Sequence, residues 1–128
     1  MENKSRTRLV GMLGFAMRAG KVVIGTDLVC RGLAKRGDGR IHLVLVSESA
    51  SDATKKKVFG KCEFYGVGAI EIGIDTEELG RLLGKTYAPA TLGITDLRFA
   101  EEITKAHSTY DSETSTTQRK EVSFTGDR

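Results

Sequence analysis

A short stretch near the amino terminus carries residue types suited to holding an anion, in the order RAGKVVIGTDLVCR over residues 18–31. The Gly25-Thr26-Asp27 turn separates a short apolar run from a helical pattern, so it leaves the first N–H groups of the helix pointing outward. Lys21 and Arg31 flank the turn with positive charge. The pattern predicts a phosphate-binding surface, with RNA as the favoured polymer. A plainer interpretation also fits, in which the glycines only end and join elements and the cations face solvent.

The distribution of charge favours a side of the molecule that faces a polyanion. The formal net charge is only +3, yet residues 1–61 contain 13 Lys or Arg against 5 Asp or Glu, and residues 62–105 contain 4 against 8. Neutralising phosphates supplies much of the affinity for nucleic acid. With 6% aromatic residues and no Trp, stacking on single-stranded bases is not the favoured mode. A basic surface that is merely solvated is the alternative.

Groups for catalysis or metal binding are scarce. His42 stands in an apolar run and His107 near the carboxyl end, while Cys30 and Cys62 belong to no CxxC or Cys/His cluster. The segment GRLLGKT at residues 80–86 lacks the first glycine of a nucleotide-binding P-loop and ends a helix instead of following a strand. We therefore expect two buried, reduced cysteines, no catalytic residues, no metal and no cofactor.

The 128 residues fit one domain, which we place at residues 1–105. From residue 106 the chain is rich in Ser, Thr and charge, and this composition predicts a disordered tail over residues 106–128. The absence of a leader-like or membrane-spanning apolar run predicts a cytoplasmic protein, and we expect a monomer.

Short apolar runs alternate with helical patterns along the chain, which predicts an α/β fold. The near-continuous apolar run at 41–46 predicts a central strand covered on both faces. The expected architecture is a three-layer α/β/α sandwich around one mixed four-stranded sheet. The predicted helices cover residues 7–17, 27–35, 52–65 and 76–83 and a last one after Thr95 or Asp96, and the predicted strands cover residues 22–24, 41–46, 67–72 and 91–94.

In this order the sequence resembles the kink-turn RNA-binding ribosomal proteins of the L7Ae and L30e type, and within them the small bacterial YlxQ-like branch. The resemblance covers about residues 6–104. It is carried by the segments LVGMLGFAMRAGKVVIGTD, IHLVLVSESAS, TKKKVFGKCEFYGV, EELGRLLGK and TLGITDLRFA. It implies the three-layer sandwich, non-catalytic binding of a sharply bent RNA, and association with ribosomes or translation.

The resemblance also implies which residues contact RNA. The family pattern Gly-x-Asn-Glu-x-x-Lys, which reads tandem G·A pairs, falls on Gly25 to Arg31 and makes Thr26 part of the interface. Asp27 stands where the family has an amide, and Leu28 where it has an acidic acceptor. These two changes predict relaxed base specificity with phosphate contacts retained. Asp27 has an alternative role as the N-cap of the helix.

Two loops complete the interface that the resemblance implies. The loop before the last strand packs against extruded nucleotides in the family, and Tyr87 is placed to stack on a base. Glu48, after the central strand, is expected to orient Lys21 or Arg31, because its charge repels phosphate. In this sequence the loop before the last strand consists of Lys85, Thr86, Tyr87, Ala88 and Pro89.

Two other classes of function stay open at this point. A protein-interaction module on the same fold would present Leu28 to an apolar partner. An enzyme would require Asp27, Glu48 or His42 to converge with a nucleophile in one cleft.

Overall fold

A computed structural model of the protein describes the backbone of residues 4–114 and the side chains of residues 6–107. Five helices alternate with four strands in this part of the chain. In chain order they are α1 (Lys4–Arg18), β1 (Val22–Ile24), α2 (Thr26–Gly32), β2 (Leu43–Ser47), α3 (Asp52–Tyr65), β3 (Gly68–Ile72), α4 (Thr76–Leu83), β4 (Thr91–Ile94) and α5 (Leu97–Thr114).

The four strands form one mixed sheet in the order β1-β4-β2-β3. β4 is antiparallel to both of its neighbours, whereas β2 and β3 are parallel. Consequently β1, β2 and β3 run in the same direction, and their ends meet the start of β4 at one edge of the sheet, here called the carboxyl edge. β2 lies inside the sheet and all five of its residues are buried, which confirms the predicted central strand.

Alternating side chains of β2 point into two separate hydrophobic cores, because successive residues of a strand face opposite sides of a sheet. Leu43 and Leu45 pack with buried residues of α1, α4 and α5. Val44 and Val46 pack with buried residues of α2 and α3. The three-layer α/β/α sandwich predicted from the sequence is thus confirmed.

Capping residues define where several helices begin and end. The Ser51 side chain accepts from Thr54 N at the start of α3, and the Asp75 side chain accepts from Glu78 N at the start of α4. Gly66 and Gly84, both at φ 71°, end these two helices in the left-handed conformation that glycine adopts at low cost. Helix α2 is shorter than predicted and ends at Gly32.

Helix α5 continues past the expected end of the domain at residue 105 and reaches Thr114. Ala106 is fully buried against the core shared with α1, and His107 Nε2 lies 3.1 Å from the carbonyl oxygen of Glu71. These two contacts continue the packed part of the fold past residue 105. Residues 115–128 of the predicted tail lie outside the described part of the chain. No helix within residues 4–114 combines the length and apolar character required to cross a bilayer.

Candidate nucleic-acid interface

Three loops named by the sequence analysis meet at the carboxyl edge of the sheet. Gly25 N donates to Thr91 O at 2.9 Å, which joins the turn before α2 to the start of β4. Ser47 N donates to Ala90 O at 2.9 Å, which joins the loop after β2 to the same segment. The loop over residues 85–90 therefore lies between the other two, and β4 holds the three together.

The turn before α2 depends on glycine at position 25. Gly25 has φ 114° and ψ 140°, a conformation that side chains disfavour, although an added Cβ there would meet no atom within 4 Å. Thr26 uses its hydroxyl inside the fold, with Oγ1 2.8 Å from Thr91 Oγ1. Helix α2 has only seven residues and Gly25 supplies no side-chain cap. Anion binding here must therefore depend on the neighbouring cations more than on the helix terminus.

Asp27 does not cap α2, so that alternative is wrong. Gly25 occupies the N-cap position, and Asp27 lies in the first turn with a side chain that is 83% exposed. Its Oδ1 lies 3.8 Å from the Nζ of Lys57, which reaches across from α3. The carboxylate is thus directed to solvent and to a lysine.

An open groove of about 750 Å³ follows the outer side of β1, between α2 and the loop over residues 85–89. We call it the β1 groove. The described residues that line it include three cations, Arg31, Lys35 and Lys85, and no carboxylate. Leu28 and Tyr87 also line it and remain 52% and 55% exposed. The groove therefore combines positive charge with exposed apolar and aromatic surface.

The loop over residues 85–89 is anchored to α4 by a close backbone approach. A Cβ on Gly80 would lie 2.5 Å from Tyr87 O, so only glycine lets the loop approach the helix this closely. Pro89 is buried, whereas Thr86, Tyr87 and Ala88 are exposed. The buried proline fixes the loop, and its exposed residues face outward from the fold.

Two predicted site residues lie apart from the groove. Lys21 precedes β1 and so lies at the end of that strand opposite Gly25, and it does not line the β1 groove. Glu48 is exposed, and no ion pair joins its carboxylate to Lys21 or Arg31 among the described residues. The expected role of Glu48 in orienting these cations is therefore wrong. Its carbonyl oxygen instead accepts from Lys55 Nζ at 2.9 Å.

The carboxylates and the histidine considered for catalysis do not converge. His42 precedes β2 and lies at the edge of the sheet opposite Asp27 and Glu48. Burial, and then the charge of Arg40, lower the pKa of His42, while Asp96 acts in the opposite direction. This pKa favours a neutral imidazole.

The cysteines also differ from the prediction in one respect. Both are free, but only Cys62 is buried, whereas Cys30 is partly exposed. Burial, followed by the nearby Cys30, raises the pKa of Cys62 to about 12. A thiol with this pKa stays protonated near neutral pH and is a poor nucleophile.

The interface predicted from the sequence did not include two cations of this surface. Lys35 lines the β1 groove four residues after Arg31, just beyond the end of α2, and it stood at the end of the helix predicted from the sequence. It was missed because the predicted interface ended at Arg31. Lys57 reaches Asp27 from a different helix, and no local pattern could have revealed that contact.

Comparisons with known proteins agree with this architecture. The profile of the Ribosomal protein L7Ae/L30e/S12e/Gadd45 family matches residues 7–104. The RNA-binding protein YlxQ of Bacillus subtilis is 40% identical over 92 residues, which cover 72% of this chain and 87% of that protein. The RNA-binding protein YlxQ of Enterococcus faecium is 32% identical over 102 residues, which cover 80% and 93%.

Two solved structures share the fold. A protein with unknown function from Bacillus halodurans C superposes with a TM-score of 0.70 at 28% identity, covering 77% of this chain and 95% of that one. The Giardia lamblia 15.5kD RNA binding protein superposes with a TM-score of 0.65 at 17% identity, covering 84% and 92%. The second likeness concerns the fold alone.

Proposed function

The chain belongs to the Ribosomal protein L7Ae/L30e/S12e/Gadd45 family, and from this premise we propose that it binds structured RNA and performs no catalysis. Its relatives in Bacillus subtilis and Enterococcus faecium are named as RNA-binding proteins. The proposed RNA is bent in the manner of a kink-turn. We also propose that the protein is a cytoplasmic monomer associated with the ribosome or with translation.

The observation that carries the proposal is the composition of the β1 groove. Arg31, Lys35 and Lys85 line it without a carboxylate among the described lining residues. Cations concentrated in a concave surface attract phosphates and position the RNA, although they do not read its sequence. Tyr87, 55% exposed in the same groove, offers a face on which an unpaired base can stack.

Base specificity is the part of the function that Leu28 alters. Its side chain is 52% exposed beside the groove and offers no hydrogen bond to a base edge. Each good base-specific contact that is missing removes about 1–3 kcal/mol of discrimination. We therefore propose that this protein recognises the bent shape and backbone of its RNA more than its tandem G·A pairs.

The test measures the affinity of the full chain for three RNAs. They are a kink-turn, the same RNA with its G·A pairs replaced by Watson–Crick pairs, and a straight duplex. The kink-turn is expected to bind best, with a modest loss on replacing the G·A pairs, and affinity falls steeply between about 50 mM and about 200 mM salt. Equal affinity for all three RNAs, or affinity independent of salt, would contradict the proposal.

A pair of matched variants tests whether the β1 groove is the surface that binds RNA. Arg31→Gln removes a cation of the β1 groove, whereas Arg8→Gln removes an exposed cation of α1, on the other face of the sheet. We expect Arg31→Gln to weaken RNA binding about tenfold and Arg8→Gln to leave it unchanged. Equal losses would mean that binding depends on net charge and not on the groove.

A second candidate function, a protein-interaction module, is favoured by the exposed apolar side chains of Leu28 and Tyr87. It predicts that Leu28→Asp abolishes binding to a protein partner and that no RNA is enriched when the protein is crosslinked in cells. Enrichment of a structured RNA would decide for the first candidate.

A further inference from the structure

Three consecutive lysines of α3 have side chains with different surroundings. Successive residues of a helix point about 100° apart, so Lys55, Lys56 and Lys57 cannot form one patch. Lys55 Nζ lies 2.9 Å from Glu48 O and 3.4 Å from Glu71 Oε2, so its charge is used inside the fold. Lys56 is exposed and makes no such contact with the described residues. Lys57 points towards α2.

Lys57 brings a positive charge from α3 to the first turn of α2. Its Nζ lies 3.8 Å from Asp27 Oδ1, and the two side chains are 51% and 83% exposed. An ion pair this exposed gains little net energy, because water solvates both charges and competes for each. The pair is therefore readily exchanged for another partner of Lys57.

Asp27 also has Arg31 one turn further along α2, at the i,i+4 spacing that places two side chains on the same face. Asp27 thus has the ammonium of Lys57 beside its carboxylate, and Arg31, which lines the β1 groove, one turn away on its own helix. A phosphate that approaches this surface meets two cations for one carboxylate. The local charge stays favourable to RNA although Asp27 repels it.

On these observations, and resting on the proposed function, we propose that Lys57 is a phosphate-contacting residue that extends the RNA interface from α2 onto α3. In the free protein Asp27 holds the ammonium of Lys57 near the mouth of the site. When RNA binds, a phosphate oxygen replaces the carboxylate as the partner of Lys57. The exchange releases counterions from the RNA, as other phosphate contacts do.

The experiment measures affinity for the kink-turn RNA over a range of salt concentrations, with the full chain and two matched variants. Lys57→Gln is expected to weaken binding several-fold and to reduce the slope of log affinity against log salt by about one. Lys56→Gln, the same change on the adjacent exposed lysine, is expected to alter neither quantity. Unchanged binding by Lys57→Gln, or equal losses in both variants, would overturn the inference.

A second experiment, in the Asp27→Ala background, distinguishes two roles of Lys57: direct contact with a phosphate and simple neutralisation of Asp27. In Asp27→Ala the carboxylate is absent, so Lys57→Gln still weakens binding if Lys57 itself contacts a phosphate. If the effect of Lys57→Gln vanishes in this background, Lys57 only screens Asp27 and the proposed contact is wrong. Melting temperatures of all variants should match the wild type, because both side chains are exposed.

The wild-type control separates this inference from the proposed function. If the wild-type chain shows no salt-dependent RNA binding, the proposed function itself fails. If it binds RNA and Arg31→Gln weakens that binding while Lys57→Gln does not, only the role of Lys57 is overturned.

Discussion

Two arginines, one from each helical layer of this protein, have different surroundings. In the layer formed by α1, α4 and α5, Arg6 Nη2 lies 2.7 Å from Glu78 Oε1, and both side chains are about 30% exposed, at 27% and 31%. In the layer formed by α2 and α3, Arg31 lines an open groove and forms no ion pair with any described residue. One arginine joins two helices, and the other is left for a partner outside the chain.

Burial and partner separate the charges that stabilise the fold from the charges that are available for binding. A short, partly buried pair contributes to the stability of the fold, whereas an exposed cation beside a groove contributes little until a ligand arrives. Net charge alone does not make this distinction, since both arginines belong to the basic amino-terminal half. The distinction predicts that stability and RNA affinity can be altered separately.

The largest effects on stability and RNA affinity are expected at Gly80, where α4 contacts the loop over residues 85–89. A Cβ there would lie 2.5 Å from Tyr87 O, so Gly80→Ala must displace the loop over residues 85–89 or part of α4. We expect a loss of about 1–3 kcal/mol in the free energy of unfolding, as for other overpacked sites, together with weaker RNA binding. Urea denaturation and an RNA-binding titration measure the two losses.

Gly60 provides a matched control for this prediction. It also lies inside a helix, α3, but an added Cβ would meet no atom within 4 Å. Gly60→Ala should therefore stabilise the protein by up to about 1 kcal/mol, because alanine favours helix more than glycine does. Equal stability changes at both glycines would mean that the close approach at Gly80 has no energetic weight.

The next largest effect on RNA affinity is expected from one of two exposed aromatic residues. Tyr87 lines the β1 groove, whereas Phe64, which is 80% exposed, lies at the carboxyl end of α3 and outside the groove. Tyr87→Ala should cost about 1 kcal/mol or more of RNA-binding free energy, the amount that stacking on one base contributes. Phe64→Ala should leave affinity unchanged. The reverse order of effects, measured by isothermal titration, would move the site away from the groove.

A smaller effect tests the structural arginine. Arg6→Ala removes the ion pair between α1 and α4 and should lower the free energy of unfolding by about 1 kcal/mol or less, since both partners remain partly exposed. RNA affinity should not change. A loss of affinity without a change in thermal stability would show that the two layers do not divide their roles as proposed.

The smallest effect concerns pH, through His42. The pKa of His42 in the folded state lies below the ordinary histidine value of 6.5, so the unfolded chain takes up the proton first as the pH falls. The free energy of unfolding should therefore decrease as the pH falls through about 6.5 and should change little from this group above that value. Urea midpoints at about pH 7.5 and about pH 5.5 should differ less in His42→Gln than in the wild type. An unaltered pH dependence would assign it to other groups.

Local patterns were sufficient to predict most of the fold. The bounds of β1, α4 and β4 agree with the prediction residue by residue, because each segment has its own apolar run and a clear capping or turn residue. The end of α5 was not predictable in this way. Its continuation depends on Ala106, whose burial arises from packing in the core shared with α1.

The candidate site was predictable only in its parts. The sequence identified Gly25, Arg31 and the loop before β4, since these are visible as a turn, a cation and a loop. The contact of Lys57 with Asp27 joins two different helices, and the close approach of Tyr87 to Gly80 depends on how the chain folds back after α4. Sequence spacing carries no information about such distances.

The position of β4 in the sheet has a consequence for how the protein is made. β1 and β2 are separated by β4, and the turn before α2 and the loop after β2 are each joined to residues 90–91. Chain synthesis delivers this strand after all the others. We therefore expect the turn before α2 and the loop after β2 to reach their final positions only after β4 has inserted between its two neighbours, and RNA binding to begin only with that late, non-local step of folding.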